Sequence, residues 1–203
     1  MSPEYTINLA VNIVWLVWYV PWIAAVVWSA KTKTQMGTDV NGLHRILSGL
    51  GAVLLFFVPA NSGGPFLGSA FLGLFARQLW HEPQWLAWSL VGLTIASFCF
   101  CWWARLHLGR LWSGFVTLKE GHRVVDTGPY ALVRHPIYSG VIFAALTTAL
   151  IRANAAGLLG FVLLAAGFTM TAKIEERFLR EQLGVDAYDS YSRRVAMLVP
   201  LVR

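Results

Sequence analysis

Charge is what this sequence lacks. Asp, Glu, Lys and Arg together make up 13% of its 203 residues, about half of the roughly 25% that a soluble globular domain carries. So little charge cannot dress a wet surface, which disfavours a soluble enzyme, a disordered tail and a secreted disulfide-stapled module together. Cysteine is scarce too. Cys99 and Cys101 lie in one apolar run and would point about 200° apart on a helix. They can neither pair nor chelate one metal, and both are expected as small buried apolar residues. Soluble catalytic signatures are missing: there is no Gly-x-Ser-x-Gly elbow, no His-Glu-x-x-His pair and no Gly-rich strand-to-helix loop. The five histidines are scattered, without an i,i+4 pair. His44, His81 and His107 read as interfacial residues, whereas His122 and His135 sit in a polar segment and are candidates for function.

Apolar surface is what the chain has instead. Hydrophobic residues make up 57%, with ten Trp, twelve Phe and six Tyr, an aromatic load suited to membrane interfaces. The net charge of +6 has no solvated domain on which to grip phosphates, so nucleic acid is not expected as a partner. These features predict a single all-α integral membrane domain over residues 1–203.

Five apolar segments carry that reading: about Ile7–Ala30, Leu43–Ala60, Gln84–Ala104, Pro136–Ile151 and Ala153–Ala172. Each is close to the ~20 residues a helix needs to cross ~30 Å of hydrocarbon, the fourth being short. Pro65–Ala76 is apolar but too short to span, and Asn61–Pro65 breaks it from the second segment; it reads as an interfacial or re-entrant piece. The first segment has neither the basic start nor the cleavage site of a signal peptide. With five spans, fourteen of the sixteen Lys and Arg fall on one side, leaving Arg77 and Arg152 on the other. The N-terminus is therefore expected outside and the C-terminus in the cytoplasm. A turn near Arg152 makes the last two segments an antiparallel hairpin, and Ala156 with Gly160 is a small-xxx-small pair that permits close packing.

Polar residues concentrate in two stretches on the cytoplasmic side, 105–140 and 173–203. Gly128-Pro129 marks a turn. Pro136 suits the first position of the fourth helix, with His135 just outside it, so the helix's N-terminal amides would face the site and could hold an anionic group. Beyond the fifth segment, Glu176 with Arg180 and Arg177 with Glu181 are spaced as ordinary surface pairs. Glu175 differs. Its helix neighbours are Thr171, Ala172, Phe178 and Leu179, so it faces the bundle, where a carboxylate needs a partner. Spacing leaves two readings open: an ion pair with Arg134 or Arg123, or a contact to a ligand.

The succession Gly-His-Arg-Val-Val (121–125), Thr-Gly-Pro-Tyr (127–130), Arg-His-Pro-Ile-Tyr (134–138), Glu-Glu (175–176), Tyr188-x-x-Tyr191 and Pro200 resembles the isoprenylcysteine carboxyl methyltransferases. That family belongs with a wider group of membrane methyltransferases that includes phospholipid N-methyltransferases. The resemblance covers roughly residues 100–203; the first hundred match only in being hydrophobic helices. It divides the domain into a three-helix part, 1–104, and a methyltransferase part, 105–203. It implies S-adenosylmethionine held at the cytoplasmic end of the last two helices, without a Rossmann sheet. The family's cofactor contacts then fall on Thr117, His122, Arg123, Val124, Val125, Tyr130, His135, Pro136, Ile137, Tyr138 and Glu175. Glu175 and Arg134 stand as the candidate catalytic residues.

The activity so implied is methyl transfer to a lipophilic acceptor in the membrane, most like isoprenylcysteine carboxyl O-methylation. Phospholipid methylation, small-amine or thiol methylation, and a non-catalytic membrane scaffold are the alternatives. One departure bears on the acceptor. Where the eukaryotic enzymes carry a substrate-binding arginine, this chain has Thr171, with Lys173 the nearest base, so prenylcysteine is expected to be a poor acceptor. No metal is expected.

Overall fold

The computed structural model describes residues 2–28, 32–35, 42–58, 73–113, 117–119, 124–183 and 185–202. Among the described residues, six α-helices of ten residues or more build the fold: α1 (Pro3–Ala24), α2 (Leu43–Phe57), α3 (Gln84–Leu108), α4 (Pro136–Arg152), α5 (Ala155–Leu183) and α6 (Val185–Arg194). Local signals explain their ends. Ser2 caps α1 by accepting from the Tyr5 amide at 3.3 Å, and Pro3 opens the helix. Pro136 opens α4 in the same way.

The helical expectation holds, with one addition. Thr32–Gln35 (β1) and Thr117–Lys119 (β2) form a short antiparallel pair. Their pairing joins the segment after α1 to the segment after α3, two segments that the basic-residue count had put on one side. Most of the apolar piece expected at 65–76 lies outside the described residues; a single helical turn covers 73–76.

Among the described residues, three helical stretches are long and apolar enough to cross a membrane: Pro3–Ala24, Gln84–Leu111 and Ala155–Gln182. α2 and α4 are apolar but only 15 and 17 residues long, which at 1.5 Å per residue gives about 22 and 25 Å. The outward faces of the bundle are apolar. On α1, Leu16, Val17 and Val20 are all more than half exposed, which suits a lipid solvent and not water. The chain is a membrane protein.

Glycines set the helix spacing. A Cβ on Gly160 of α5 would stand 2.7 Å from the Gly51 carbonyl oxygen of α2, and one on Gly51 would stand 2.6 Å from the Leu164 nitrogen. The α2 and α5 backbones therefore touch at that level, and Gly160 of the small-residue pair lies at the contact. α4 approaches α3 similarly at Gly140, where a Cβ would stand 2.9 Å from the Ser97 carbonyl oxygen. Cys101 is buried at this crossing, 3.5 Å from the Ile137 carbonyl. Cys99 is exposed, which corrects the expectation that both thiols are buried. With two side chains about 200° apart on a helix, only one can face α4.

Only Ala153, in a left-handed conformation at φ 51°, and Asn154 separate α4 from α5. The buried Asn154 side chain accepts from the Gly157 amide at 2.7 Å and starts the second helix. The two helices meet again near their other ends, where Tyr138 reaches Glu175.

Candidate active site

The site forms where the start of α4, the C-terminal part of α5 and the segment before α4 converge. His135 takes the N-cap position and Pro136 the first helical one. The tail after α6 runs back along this start. The Arg134 amide donates to the Ala196 carbonyl at 2.8 Å, the His135 amide to Met197 at 3.1 Å, and the Ser139 hydroxyl to Leu198 at 2.6 Å. The Gly128-Pro129 turn is pinned from both sides. The Tyr191 hydroxyl donates to the Tyr130 carbonyl at 2.7 Å, and His107 Nε2 lies 2.9 Å from the Thr127 hydroxyl. Gly128 needs its freedom here: its φ is +58°, and a Cβ would stand 2.7 Å from the His107 ring. His107 thus fixes a loop of the site and is more than an interfacial residue.

The two adjacent glutamates have different partners, and this corrects the reading of Glu176. It was expected in a surface pair with Arg180. Instead Arg134 grips it through two bonds of 2.7 and 3.1 Å, and His135 Nε2 lies 3.1 Å away. Arg180 pairs with Asp189 at 2.7 Å. The reason is the bend of the chain after α5, which brings the α6 end back over the helix. Arg134 Nη1 also donates to the Ser192 and Val195 carbonyls, so Arg134 ties α5, α6 and the α4 start together. Glu175 accepts from the Tyr138 hydroxyl at 2.9 Å and lies 3.7 Å from His135 Nδ1, with its side chain 31% exposed. Of the two readings left open for it, the ion pair with Arg134 falls to Glu176. Arg123 lies outside the described residues.

These groups surround a cavity of about 250 Å³. Val124, Val125, Tyr130 and Arg134 line it from the loop side, and His135, Pro136, Ile137 and Tyr138 from α4. Glu175 enters from α5. Nine sequence-predicted residues therefore converge on one space. His122 lies outside the described residues, as does Arg123, and Thr117 falls in β2, where only the backbone is described.

Sequence reasoning missed other parts of the lining. Trp18 and Trp22 of α1, Trp112 beyond α3, Phe168 of α5, and Tyr188 and Tyr191 of α6 also line the cavity, Phe168 with its ring 5.3 Å from that of Tyr138. The signal for α1 was its Trp15, Trp18, Trp22 stripe at i, i+3, i+7 spacing. An interfacial aromatic belt gives the same pattern.

Burial pushes the Tyr130 phenol well above the usual tyrosine range, with the Glu175 carboxylate adding to it. Burial raises Tyr188 and Tyr191 likewise. All three are neutral phenols that offer ring faces and hydroxyls and no base. Among the described residues Glu175 has no arginine or lysine partner. A carboxylate among aromatic rings is suited to an organic cation.

Residues 90–181 match the model of the isoprenylcysteine carboxyl methyltransferase (ICMT) family. That stretch is similar to the family and makes up less than half of the chain. It takes in most of α3, all of α4 and nearly all of α5, with Tyr130, Arg134, His135, Tyr138 and Glu175 inside it and both α1 and α6 outside. Among curated relatives, the chain is 34% identical over 102 residues to a protein-S-isoprenylcysteine O-methyltransferase of Schizosaccharomyces pombe, covering 49% of this chain and 43% of that protein. It is 30% identical over 102 residues to protein-S-isoprenylcysteine O-methyltransferase B of Arabidopsis thaliana, covering 49% and 51%. A cobalt-zinc-cadmium resistance protein of Cupriavidus metallidurans is 25% identical over 126 residues, covering 60% and 51%. The chain spans about half the length of the curated relatives it matches.

Proposed function

We propose that this protein transfers a methyl group from S-adenosylmethionine to a lipophilic acceptor in the membrane, in a reaction most like isoprenylcysteine carboxyl O-methylation. One observation carries the reading: a single cavity is lined by Glu175, His135 and Tyr138 together with the apolar rings of Trp18, Trp22 and Phe168. Such a space receives a polar cationic molecule and an apolar one side by side. A non-catalytic scaffold has no use for it.

The residues present fit the cofactor. Glu175 offers an anion to a cation, and Tyr130 and Tyr138 offer ring faces. Val124, Val125, Pro136 and Ile137 supply apolar walls, and the α4 start with His135 supplies a partly positive backbone end for a carboxylate. His122, Arg123 and Thr117 complete the set assigned by resemblance. Bound there, S-adenosylmethionine supplies an electrophilic methyl group on a sulfonium.

The chain's own residues position and desolvate. Arg134 holds Glu176, Glu176 holds His135, and His135 sits beside Glu175. Arg134, named as a catalytic candidate, therefore acts as an anchor. The stacked rings of His135 and Tyr138, 5.4 Å apart at 6°, fix the floor under Glu175. A carboxylate acceptor is already ionised at neutral pH and needs no base, so alignment supplies the rate. A thiol or amine acceptor must lose a proton, and Glu175 is placed to take it.

Residues 105–203 carry most of the site in this reading, with the α1 tryptophans as the contribution of the first part. Five spans, an external N-terminus and a cytoplasmic site follow from the distribution of Lys and Arg. The test is incubation of the purified protein with tritium-labelled S-adenosylmethionine and membrane lipid extracts. Label passing into the lipid phase supports the reading, and no saturable binding of the methyl donor overturns it.

A further inference from the structure

Resting on the methyltransferase reading, we propose that Arg105 is a positioning residue for the acceptor. Its guanidinium holds Trp112 and the end of α1 in the places from which they line the cavity.

Arg105 is fully buried in the last turn of α3, within a stretch long and apolar enough to span a membrane. A cation in such a place is costly and persists only where it has partners. Two of these are helix ends. Nη2 donates to the carbonyl of Ala25, the C-cap of α1, at 2.8 Å. Nη1 donates to the carbonyl of Gly109, the C-cap of α3, at 2.7 Å. Helix C-termini carry spare carbonyls and a partial negative charge, so one guanidinium joins two ends that would otherwise repel.

The third partner is a ring. Gly109 leaves α3 at φ +58°, and three residues further on Trp112 lies over the guanidinium, with its ring centroid 4.2 Å from the central carbon. Trp112 in turn meets Trp22 edge-on at 5.5 Å. Trp22, Leu108, Leu111 and Trp112 all line the cavity, and each lies within three residues of Ala25 or Gly109. Apolar lining from α1 and from the exit of α3 is therefore hung on one side chain that stands behind it. Glu175, His135 and Tyr138, which the methyltransferase reading gives to the donor, are carried by α4 and α5 instead. Arg105 thus acts on the acceptor's share of the site. Lysine cannot replace it, because a single ammonium has neither the fork for two carbonyls nor a flat face for the ring.

The test compares the purified wild type with Arg105→Met, Arg105→Lys and Trp112→Leu. Donor-site affinity is measured by calorimetry with S-adenosylhomocysteine. Acceptor KM and kcat are measured with tritium-labelled S-adenosylmethionine and N-acetyl-S-farnesylcysteine, dodecanoate or dodecylamine, whichever the wild type turns over fastest. Arg105→Met should raise acceptor KM about tenfold while donor-site affinity stays within about threefold. Arg105→Lys keeps a cation between the two helix ends, so its unfolding temperature should recover while acceptor KM stays raised about fivefold. A merely structural arginine would show KM recovering together with stability. Trp112→Leu leaves both carbonyl bonds in place and should raise acceptor KM in the same way. Should Arg105→Met fail to fold, Arg105→Lys decides. An unchanged acceptor KM in folded Arg105→Lys or Trp112→Leu overturns the proposal, and so does an equal loss of donor and acceptor affinity. Donor binding by the wild type without turnover of any of the three probes overturns it as well. Failure of the wild type to bind the donor at all refutes the methyltransferase reading itself, which separates the two failures.

Discussion

Arg134 and Glu176 are joined by two parallel hydrogen bonds, 2.7 Å from Nε to Oε1 and 3.1 Å from Nη2 to Oε2. This fork removes Glu176 from the surface and leaves Glu175, its neighbour in sequence, as the carboxylate that faces the cavity among the described residues. The two glutamates consequently have separable effects. Glu175→Gln should weaken S-adenosylmethionine binding by at least about 1.5 kcal/mol, the low end for a hydrogen bond to a charged group, with little change in stability. Glu176→Gln leaves a partly buried guanidinium without its counter-charge and should cost about 3 kcal/mol of stability, the low end for a broken buried pair. Calorimetry and thermal unfolding of both variants in detergent decide this. Equal effects on both properties would contradict the division.

The buried tyrosines make the stability sensitive to alkali. Tyr130, Tyr188 and Tyr191 all titrate above the usual value near 10 when folded. Above about pH 10 the unfolded chain loses these protons while the folded one keeps them. Their stabilisation is therefore complete below that pH and is lost as pH rises toward the folded values. Tyr191→Phe removes one of the three protons and also the bond to the Tyr130 carbonyl. At neutral pH it should cost about 0.5–1.5 kcal/mol, and between about pH 10 and 12 its unfolding temperature should fall less steeply than the wild type's. Parallel curves would show that Tyr191 is not one of the responsible groups.

The polar half of the site was legible because its residues follow one another in short motifs on either side of a helix start. Pro136 after His135 announces a helix N-terminus, and Glu175 announces itself by its apolar neighbours. Glu176 misled because i,i+4 spacing is a local rule, whereas its partner Arg134 lies 42 residues away. The tryptophan wall was hidden for a different reason. Trp18 and Trp22 sit on a helix that is apolar all round, so nothing in its periodicity separates rings that face a cavity from rings that face lipid. The β1–β2 pair rests on contacts between segments some 85 residues apart, which no local pattern reports.

Topology offers a direct check on the span count. The pairing of β1 with β2 places the segments after α1 and after α3 at one end of the bundle, where the count of Lys and Arg also puts them. A C-terminal reporter should therefore be cytoplasmic and an N-terminal reporter external. The fusions are scored by alkaline phosphatase and green-fluorescent-protein activity. Both termini reporting from one side would rule out five spans.

At the opposite end of α4, Arg152 ties three helices together with no carboxylate partner among the described residues. Nη1 donates to Asn8 Oδ1 at 2.5 Å, Nη2 to Asn12 Oδ1 at 2.6 Å and Nε to the Leu55 carbonyl at 3.2 Å. The two asparagines, which by sequence only interrupt an apolar span, are thus the acceptors that let a cation sit between α1, α2 and α4. Arg152→Met removes three donors at once and leaves three acceptors unpaired, each costing about 1–3 kcal/mol where water cannot reach it. A loss of about 3 kcal/mol or more is expected on thermal unfolding. Lysine cannot replace the fork, because its single ammonium does not reach two asparagines and a carbonyl in one plane, so Arg152→Lys should recover little. A double-mutant cycle of Arg152→Met with Asn12→Leu should show a coupling of about 1 kcal/mol or more, since the pair is in direct contact. Affinity for S-adenosylmethionine in the folded Arg152→Met protein should stay within about twofold of wild type, because α4 puts about 16 Å between Arg152 and Val141, the nearest residue of that helix lining the cavity. An affinity loss as large as that of Glu175→Gln, with stability intact, would mean that Arg152 acts on the site and not on the bundle.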